Sequence, residues 1–245
     1  MNEEIKIQEP TNPALGMSRC CTPLLSESKP ISEVYNMDCV AGMQHYPDKF
    51  FDLAIVDPPY GIGFSDYERG AMGLKTKERY TKNGKKRWDD QTPDCAYFIE
   101  LLRVSKNQIV WGGNYFDLPP TQCFIFWYKQ NPVPNFADGE YAWTSFAKPA
   151  LCFDYRYYGG LAGNTSKGKT IHPTQKPIQL YKWVLTKFAE SGQKILDTHL
   201  GSQSSRIAAW EMGFDFWGFE IDTEYFEQGN KRFKETTAQT SLWVG

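Results

Sequence analysis

QKILDTHLGSQSSRIAAWEMG, residues 193–213, changes its period half-way. An apolar run closes on Asp197, a turn of small residues carries Gly201, Ser202 and Ser204, and apolar side chains then recur at helical spacing until Gly213. A strand therefore enters a tight turn and leaves it as a helix. FWGFE (216–220) reads as the next strand and TEYFEQGNKRF (223–233) as the next helix. The same alternation runs back through the chain. EVYNMD (33–38), DLAIVD (52–57), NQIVWGG (107–113), QCFIFWY (122–128) and ALCFDY (150–155) are strand-like, whereas CVAGMQHY (39–46), PDCAYFIELLRV (93–104) and PIQLYKWVLTKFAE (177–190) are helical. Four consecutive apolar residues at 53–56 suit a strand covered on both faces. Strands alternating with helices predict an α/β fold with a doubly wound, mostly parallel sheet, here of seven strands. Residues 129–171, rich in Pro, Gly and aromatics, fit no clean period and read as an irregular insertion holding one strand.

With 245 residues, 41% of them hydrophobic, the chain can bury one substantial core. Residues 1–30, with Pro10, Pro13, Pro23 and Pro30 and no periodic apolar face, read as a flexible leader before one domain at 31–245. No run of 18 apolar residues occurs, and MNEEIKIQEP is acidic where a signal peptide would be basic and then apolar, so a soluble cytoplasmic protein is expected. Six cysteines lack both C-x-x-C spacing and a plausible disulfide framework, so they read as reduced thiols and no metal is expected. A net charge of −2 hides an asymmetry: Arg69, Lys75, Lys77, Arg79, Lys82, Lys85, Lys86 and Arg87 face only Glu78 within 69–87. That segment carries seven excess positive charges, which suits contact with phosphates, although charge runs also lie on plain solvated loops.

Ligands of a doubly wound sheet sit beyond the carboxyl ends of its strands. Here those ends are Asp38, Asp57, Trp111 to Gly113, Asp197 and Glu220. The turn after Asp197 lets backbone approach a ligand closely, but it lacks the lysine of a P-loop and the full G-x-G-x-x-G pattern, which disfavours a pyrophosphate and a dinucleotide oxidoreductase. Glu220, 23 residues after Asp197, stands where a carboxylate would accept hydrogen bonds from a ribose diol. An adenosine without phosphates fits this pattern. Asp38 and Asp197 also read as helix N-caps, and Glu220 as a solvated acid.

FFDLAIVDPPYGIGF (50–64) supplies the remaining element. Asp57-Pro58-Pro59-Tyr60, His172-Pro173-Thr174-Gln175-Lys176-Pro177 and the run DTHLGSQSS…GFEID resemble, in this order, the permuted β group of S-adenosylmethionine-dependent amino-methyltransferases acting on DNA. The resemblance spans roughly residues 33–235. It implies a Rossmann-like methyltransferase sheet with a catalytic half at about 31–128, a target-recognition insertion at about 129–171 and a cofactor-binding half at about 172–235. It also implies a chemistry without metal. Asp57 and the Pro58 carbonyl would accept the two N–H bonds of an adenine amine, the prolines including Pro59 would fix their direction, and Tyr60 would stack on the flipped base. Asp38 with Cys39, Asp57, Thr174, Gln175, Lys176, Asp197, Gly201, Ser202, Ser204 and Glu220 would surround S-adenosylmethionine. The basic residues from Arg69 to Arg87 would bind DNA, and Trp127, Trp143, Tyr155, Arg156, Tyr157 and Tyr158 would serve target recognition.

The resemblance implies a site-specific adenine-N6 enzyme, because the cytosine-N4 members more often carry serine in place of Asp57. Methylation of cytosine N4, of RNA or of a protein glutamine remains open, although glutamine enzymes place their cofactor turn before an N-P-P-Y element. Gln203 departs from the family's D-P-F-x-G-S-G-T turn by replacing a glycine, so weakened cofactor affinity, or a catalytically silent nucleic-acid-binding protein, is a further expectation. Homodimers are common in the permuted group.

Overall fold

Phe51, Leu53, Ala54, Ile55 and Val56 are all at most 2% exposed, because their strand lies at the centre of the sheet with helices on both faces. The structure, a computed structural model, describes residues 29–62, 89, 91–130, 137–157, 171–172 and 174–241. The leader up to residue 28, the basic residues from Arg69 to Arg87, Tyr158 and Pro173 lie outside the described residues. No helix among the described residues is long and apolar enough to cross a membrane.

The strands are β1 (Ser32–Asn36), β2 (Phe51–Val56), β3 (Ser105–Trp111), β4 (Phe124–Tyr128), β5 (Gly139–Thr144), β6 (Leu151–Asp154), β7 (Lys194–Asp197) and β8 (Asp215–Glu220). The helices are α1 (Cys39–Met43), α2 (Cys95–Val104), α3 (Ile178–Phe188), α4 (Ser204–Glu211) and α5 (Thr223–Ser241). One sheet runs in the order β1-β8-β7-β2-β3-β5-β4-β6, with only β5 antiparallel to its neighbours. Successive residues of β2 serve opposite faces. Leu53 and Ile55 join Leu180, Val184 and Ala208 of α3 and α4, whereas Ala54 and Val56 join Met43, Tyr97 and Leu101 of α1 and α2. Burial of each such aliphatic side chain contributes roughly 1.5–3 kcal/mol, so the two-sided covering of β2 fixes the middle of the fold.

Among the described residues the sheet has eight strands, one more than the expected seven, and the insertion is more regular than its composition implied. GEYAWT (139–144) is β5, inserted between β3 and β4. Ala142, Trp143 and Thr144 are all buried, so this strand has no alternating period to read. Trp127, Trp143 and Tyr157 are 1%, 6% and 7% exposed and belong to the core, which corrects their expected place in target recognition. Their polar edges are occupied too, since the Trp127 indole donates to the Tyr155 carbonyl at 3.0 Å and that of Trp143 to the Pro119 carbonyl at 2.7 Å.

Because β1, β8, β7, β2 and β3 are mutually parallel, their carboxyl ends share one edge. Across that edge Asp38, Glu220, Asp197, Asp57 and Gly112 follow one another in sheet order.

Candidate active site

Asp57 leaves β2 with both carboxylate oxygens engaged. The Tyr60 hydroxyl donates to Oδ1 at 2.6 Å, and the Lys176 ammonium donates to Oδ2. The Tyr60 loop is held from behind by Asp89, 2% exposed, whose Oδ1 accepts the Tyr60 and Gly61 amides at 2.8 and 3.1 Å. Burial first, and then the neighbouring Asp57 charge, push the Tyr60 phenol well above its usual range, so it stays a donor. Its ring stacks on Tyr115 with centroids 4.9 Å apart and planes 13° from parallel. Gly112, at φ +67°, is what lets the ring lie there, since a Cβ at that position would come within 2.6 Å of Tyr60 Cδ1 and Cζ.

Lys176, 4% exposed, also meets Glu140 of β5 at 3.2 Å, and Glu140 is in turn paired with Lys129. The ammonium lies 5.4 Å from the Trp111 ring centroid. Burial opposes the charge on Lys176, but Asp57 and Glu140 outweigh it and hold its pKa above the ordinary lysine value. Glu140 behaves likewise: burial raises it, the two lysines outweigh burial, and its pKa falls to about 2. Lys176 was expected beside the cofactor, as was Asp57, and the structure pairs the two. Sequence reading missed Asp89, Glu140 and Lys129 altogether. Their only local signal is an acid or a base beside an aromatic run.

The ends of β7, β8 and β1 build the second half of the site. Asp197 Oδ1 accepts the His199 amide at 3.0 Å and Oδ2 accepts the Ser205 hydroxyl at 2.5 Å. Its carboxyl is pushed up to about 7, chiefly by burial and further by the charges of Asp57 and Glu220, against the hydrogen bonds from Ser205 and His199. Asp197 thus holds the turn rather than capping α4, whose N-cap is Gln203. Glu220 accepts the Gly201 amide at 2.7 Å on one oxygen and the Asp222 amide at 2.9 Å on the other. A carboxylate has about four lone-pair sites, so it keeps capacity for further donors. Asp38 does cap α1 through Oδ1, which accepts the Ala41 amide at 2.9 Å, and that bond leaves Oδ2 available. Burial pushes the adjacent Cys39 thiol up to about 12. Burial also drives the His199 imidazole down to about 4, leaving it neutral between Thr198 and the Tyr97 ring.

His172 folds over this turn. Its ring lies 3.5 Å from where a Cβ on Gly201 would stand and meets the Tyr225 ring edge-on at 4.4 Å. Thr174 pairs with the His172 ring nitrogen at 3.1 Å, and Gln175 accepts the Ile171 amide at 3.2 Å. Ser202 and Ser204 share a hydroxyl contact of 3.1 Å, and Arg232 of α5 donates to the Ser202 carbonyl and the Ser204 hydroxyl at 2.5 and 3.0 Å.

Gln203 has φ +59° and ψ 29°, a left-handed conformation that costs a non-glycine residue about 1 kcal/mol or more. The remainder of the site compensates. Gln203 is fully buried, donates to the Phe226 carbonyl and Asn230 at 3.3 Å each, and accepts from Arg206 at 2.9 Å. It occupies space left by Gly229 of α5, where a Cβ would lie 2.7 Å from Gln203 Cγ. Gln203→Gly is therefore expected to destabilise the protein by about 2 kcal/mol despite relieving the backbone, because it opens a cavity and orphans buried polar groups. Urea unfolding checks this, and a variant as stable as wild type would show the strain to be uncompensated.

Residues 154–231 match the DNA methylase family model. The type II methyltransferase M2.MboI of Moraxella bovis is 23% identical over 244 aligned residues, covering 83% of this chain and 88% of its own. Two solved structures share the fold. The PvuII DNA methyltransferase, cytosine-N4-specific by its description, superposes with a TM-score of 0.52 at 14% identity over 83% of this chain and 87% of its own. A Thermus thermophilus protein described as a DNA modification methylase, solved in complex with S-adenosyl-L-methionine, gives a TM-score of 0.50 at 16% identity over 84% and 95%. The family match, the relative and the shared fold agree with the strand-end acids and together support an S-adenosylmethionine-dependent DNA methyltransferase of the N6/N4 type.

Proposed function

We propose that this chain methylates the N6 amine of an adenine flipped out of DNA. The observation that carries the reading is the position of Asp57, an acid at a central strand end between the Asp197 turn and Gly112, with Tyr60 hydrogen-bonded to it. An acid at position 57 supports adenine, since serine is commoner there among the cytosine members of the family.

The residues present suit the cofactor. Glu220 keeps lone pairs for ribose hydroxyls, Asp38 Oδ2 suits an adenine amine, and Gly201 at φ +46° gives backbone access. Asp197, Thr174 and Gln175 would hold the methionine end. Bound S-adenosylmethionine supplies an electrophilic methyl group on a sulfonium. The adenine amine is a poor nucleophile because its lone pair is delocalised into the ring. Asp57 and the Pro58 carbonyl accept its two N–H bonds and draw nitrogen towards tetrahedral geometry, Pro59 fixes the backbone between them, and Tyr60 offers its ring to the base. As the N–C bond forms, the methyl–sulfur bond would break with its electron pair left on the neutral thioether product, and the positive charge gained by nitrogen would be stabilised by the Asp57 carboxylate until the proton passes to water. The basic residues from Arg69 to Arg87 supply the phosphate contacts.

The test is to incubate the protein with S-adenosylmethionine and mixed genomic DNA, digest to nucleosides and measure methylated bases by mass spectrometry. N6-methyladenine supports the reading. N4-methylcytosine would reassign the pocket, and no methylated base would overturn it.

Asp197 makes cofactor affinity pH-dependent. Its carboxyl titrates at about 7 in the free protein, and a cationic ligand favours the ionised form, so binding should weaken as pH falls below about 7 and approach a tenfold loss per unit. The sign is opposite for the free fold. A raised carboxyl pKa means that the native state binds more protons than the unfolded chain between the ordinary carboxylate range and about 7, so this residue's contribution to stability falls as pH rises through that window. Titration calorimetry from about pH 5 to about pH 8.5 measures the first effect, and a flat affinity would remove Asp197 from the cofactor site.

A further inference from the structure

Asp57, Lys176, Glu140 and Lys129 form an alternating chain of four charges that runs from the end of β2 to the β4–β5 hairpin. An ammonium as buried as Lys176 costs several kcal/mol of lost hydration, which a single carboxylate repays only with favourable geometry. Here two carboxylates from separate elements hold it. One of them, Asp57, is the group that must remain able to accept hydrogen bonds from the substrate. The other, Glu140, pairs with Lys176 and Lys129, and among the described residues its Oε2 has no hydrogen-bond partner, only the 3.2 Å ionic contact with Lys176.

We propose, resting on the adenine-methylation reading, that Glu140 is a positioning residue for methyl transfer, holding the Lys176 ammonium in place so that it fixes the Asp57 carboxylate for the target amine. The four charges sum to zero. A sulfonium and an amine gaining positive charge can then approach Asp57 without meeting a net positive wall. Glu140 reaches Lys176 because β5 lies against β3, and the Lys129 amide bonded to the Asp138 carbonyl at 2.8 Å closes the hairpin that sets Lys129 on its other side. The inserted hairpin is thereby tied to the catalytic carboxylate.

Lys176 is faced by Asp57 beyond β2, Glu140 on β5 and the Trp111 ring on β3; one step further out, Tyr60 donates to Asp57, Lys129 pairs with Glu140, and the Tyr181 phenol on α3 feels Asp57, Glu140, Asp197 and Arg232. Removing Glu140 leaves burial opposed by Asp57 alone, so Lys176 should lose its proton at lower pH than in the wild type.

The experiment compares wild type with Glu140→Gln, measuring kcat and KM for N6-methyladenine formation in DNA across pH. E140Q should lower kcat roughly ten- to hundred-fold with KM for DNA held, and the ratio of mutant to wild-type kcat should fall as pH rises. Lys129→Gln added to E140Q restores zero net charge and should recover part of kcat at neutral pH. If E140Q does not fold, Glu140→Asp, which keeps the charge and shortens its reach, should show the same loss of kcat. A mutant-to-wild-type ratio near one at every pH, or a loss with no pH dependence and no recovery in the double variant, would overturn the role of Glu140 while leaving the reading intact. A wild type that makes no N6-methyladenine overturns the reading itself.

Discussion

Alanine at position 57 is expected to lower kcat by roughly three orders of magnitude, within the range that follows loss of a positioned acceptor or base. The carboxylate cannot be replaced from nearby. Tyr60 and Lys176, its two partners, are donors, and Glu140 is held off by Lys176. Removing the carboxylate should still leave the fold standing, because Lys176 keeps Glu140 and the Tyr60 loop keeps Asp89. The loss of the Tyr60 hydrogen bond costs about 1 kcal/mol. Cofactor affinity, set at the ends of β1, β7 and β8, should change by no more than a few-fold, because the two electrostatic effects of losing Asp57 oppose each other: Asp197 ionises more readily, and the Lys176 cluster is left with a net positive charge. Radiolabelled methyl incorporation measures kcat and titration calorimetry the affinity. Activity within a few-fold of wild type would remove Asp57 from the chemistry.

What the sequence made legible was whatever is written locally. Asp38, Asp57, Asp197 and Glu220 each follow a short apolar run, so the rule that ligands sit beyond strand ends found them without any knowledge of sheet order. The parallel sheet then assembled them along one edge. Glu140 escaped because its strand is buried on both faces and shows no alternation, and because what matters about it is a lysine brought close only by the fold. Lys176 was found without its pairing: its partner Asp57 lies 119 positions away, and a motif match carries no such contact. Gln203 teaches the same lesson from the other side. Read alone it was a strained substitution in a glycine turn. The relief comes from Gly229, a glycine inside α5 whose presence in a helix interior signals close packing. A joint reading of the two positions would have found the compensation.

Gly112→Ala should damage activity second only to loss of the acid, although residue 112 has no side chain to offer a substrate. Two costs act together. Alanine at φ +67° pays about 1–2 kcal/mol in backbone strain, and its Cβ would overlap the Tyr60 ring. The Gly112 backbone cannot retreat easily, because its amide donates to the Tyr141 carbonyl of β5 at 2.9 Å and Gly113 beside it already abuts Trp143, where a Cβ would lie 3.1 Å from the backbone nitrogen. Tyr60 must therefore move, and its stack on Tyr115 and its hydrogen bond to Asp57 move with it. The expected outcome is a loss of stability of about 1–3 kcal/mol and a fall in kcat/KM on the order of a hundredfold, since displacements near 1 Å cost that much in a site that works by orientation. Cofactor affinity should hold, because the ends of β1, β7 and β8 are untouched. Urea unfolding, methyl incorporation and calorimetry on one preparation separate the three effects. A variant that is destabilised yet fully active would mean that the Tyr60 ring is free to repack and that its present position does not orient the target base.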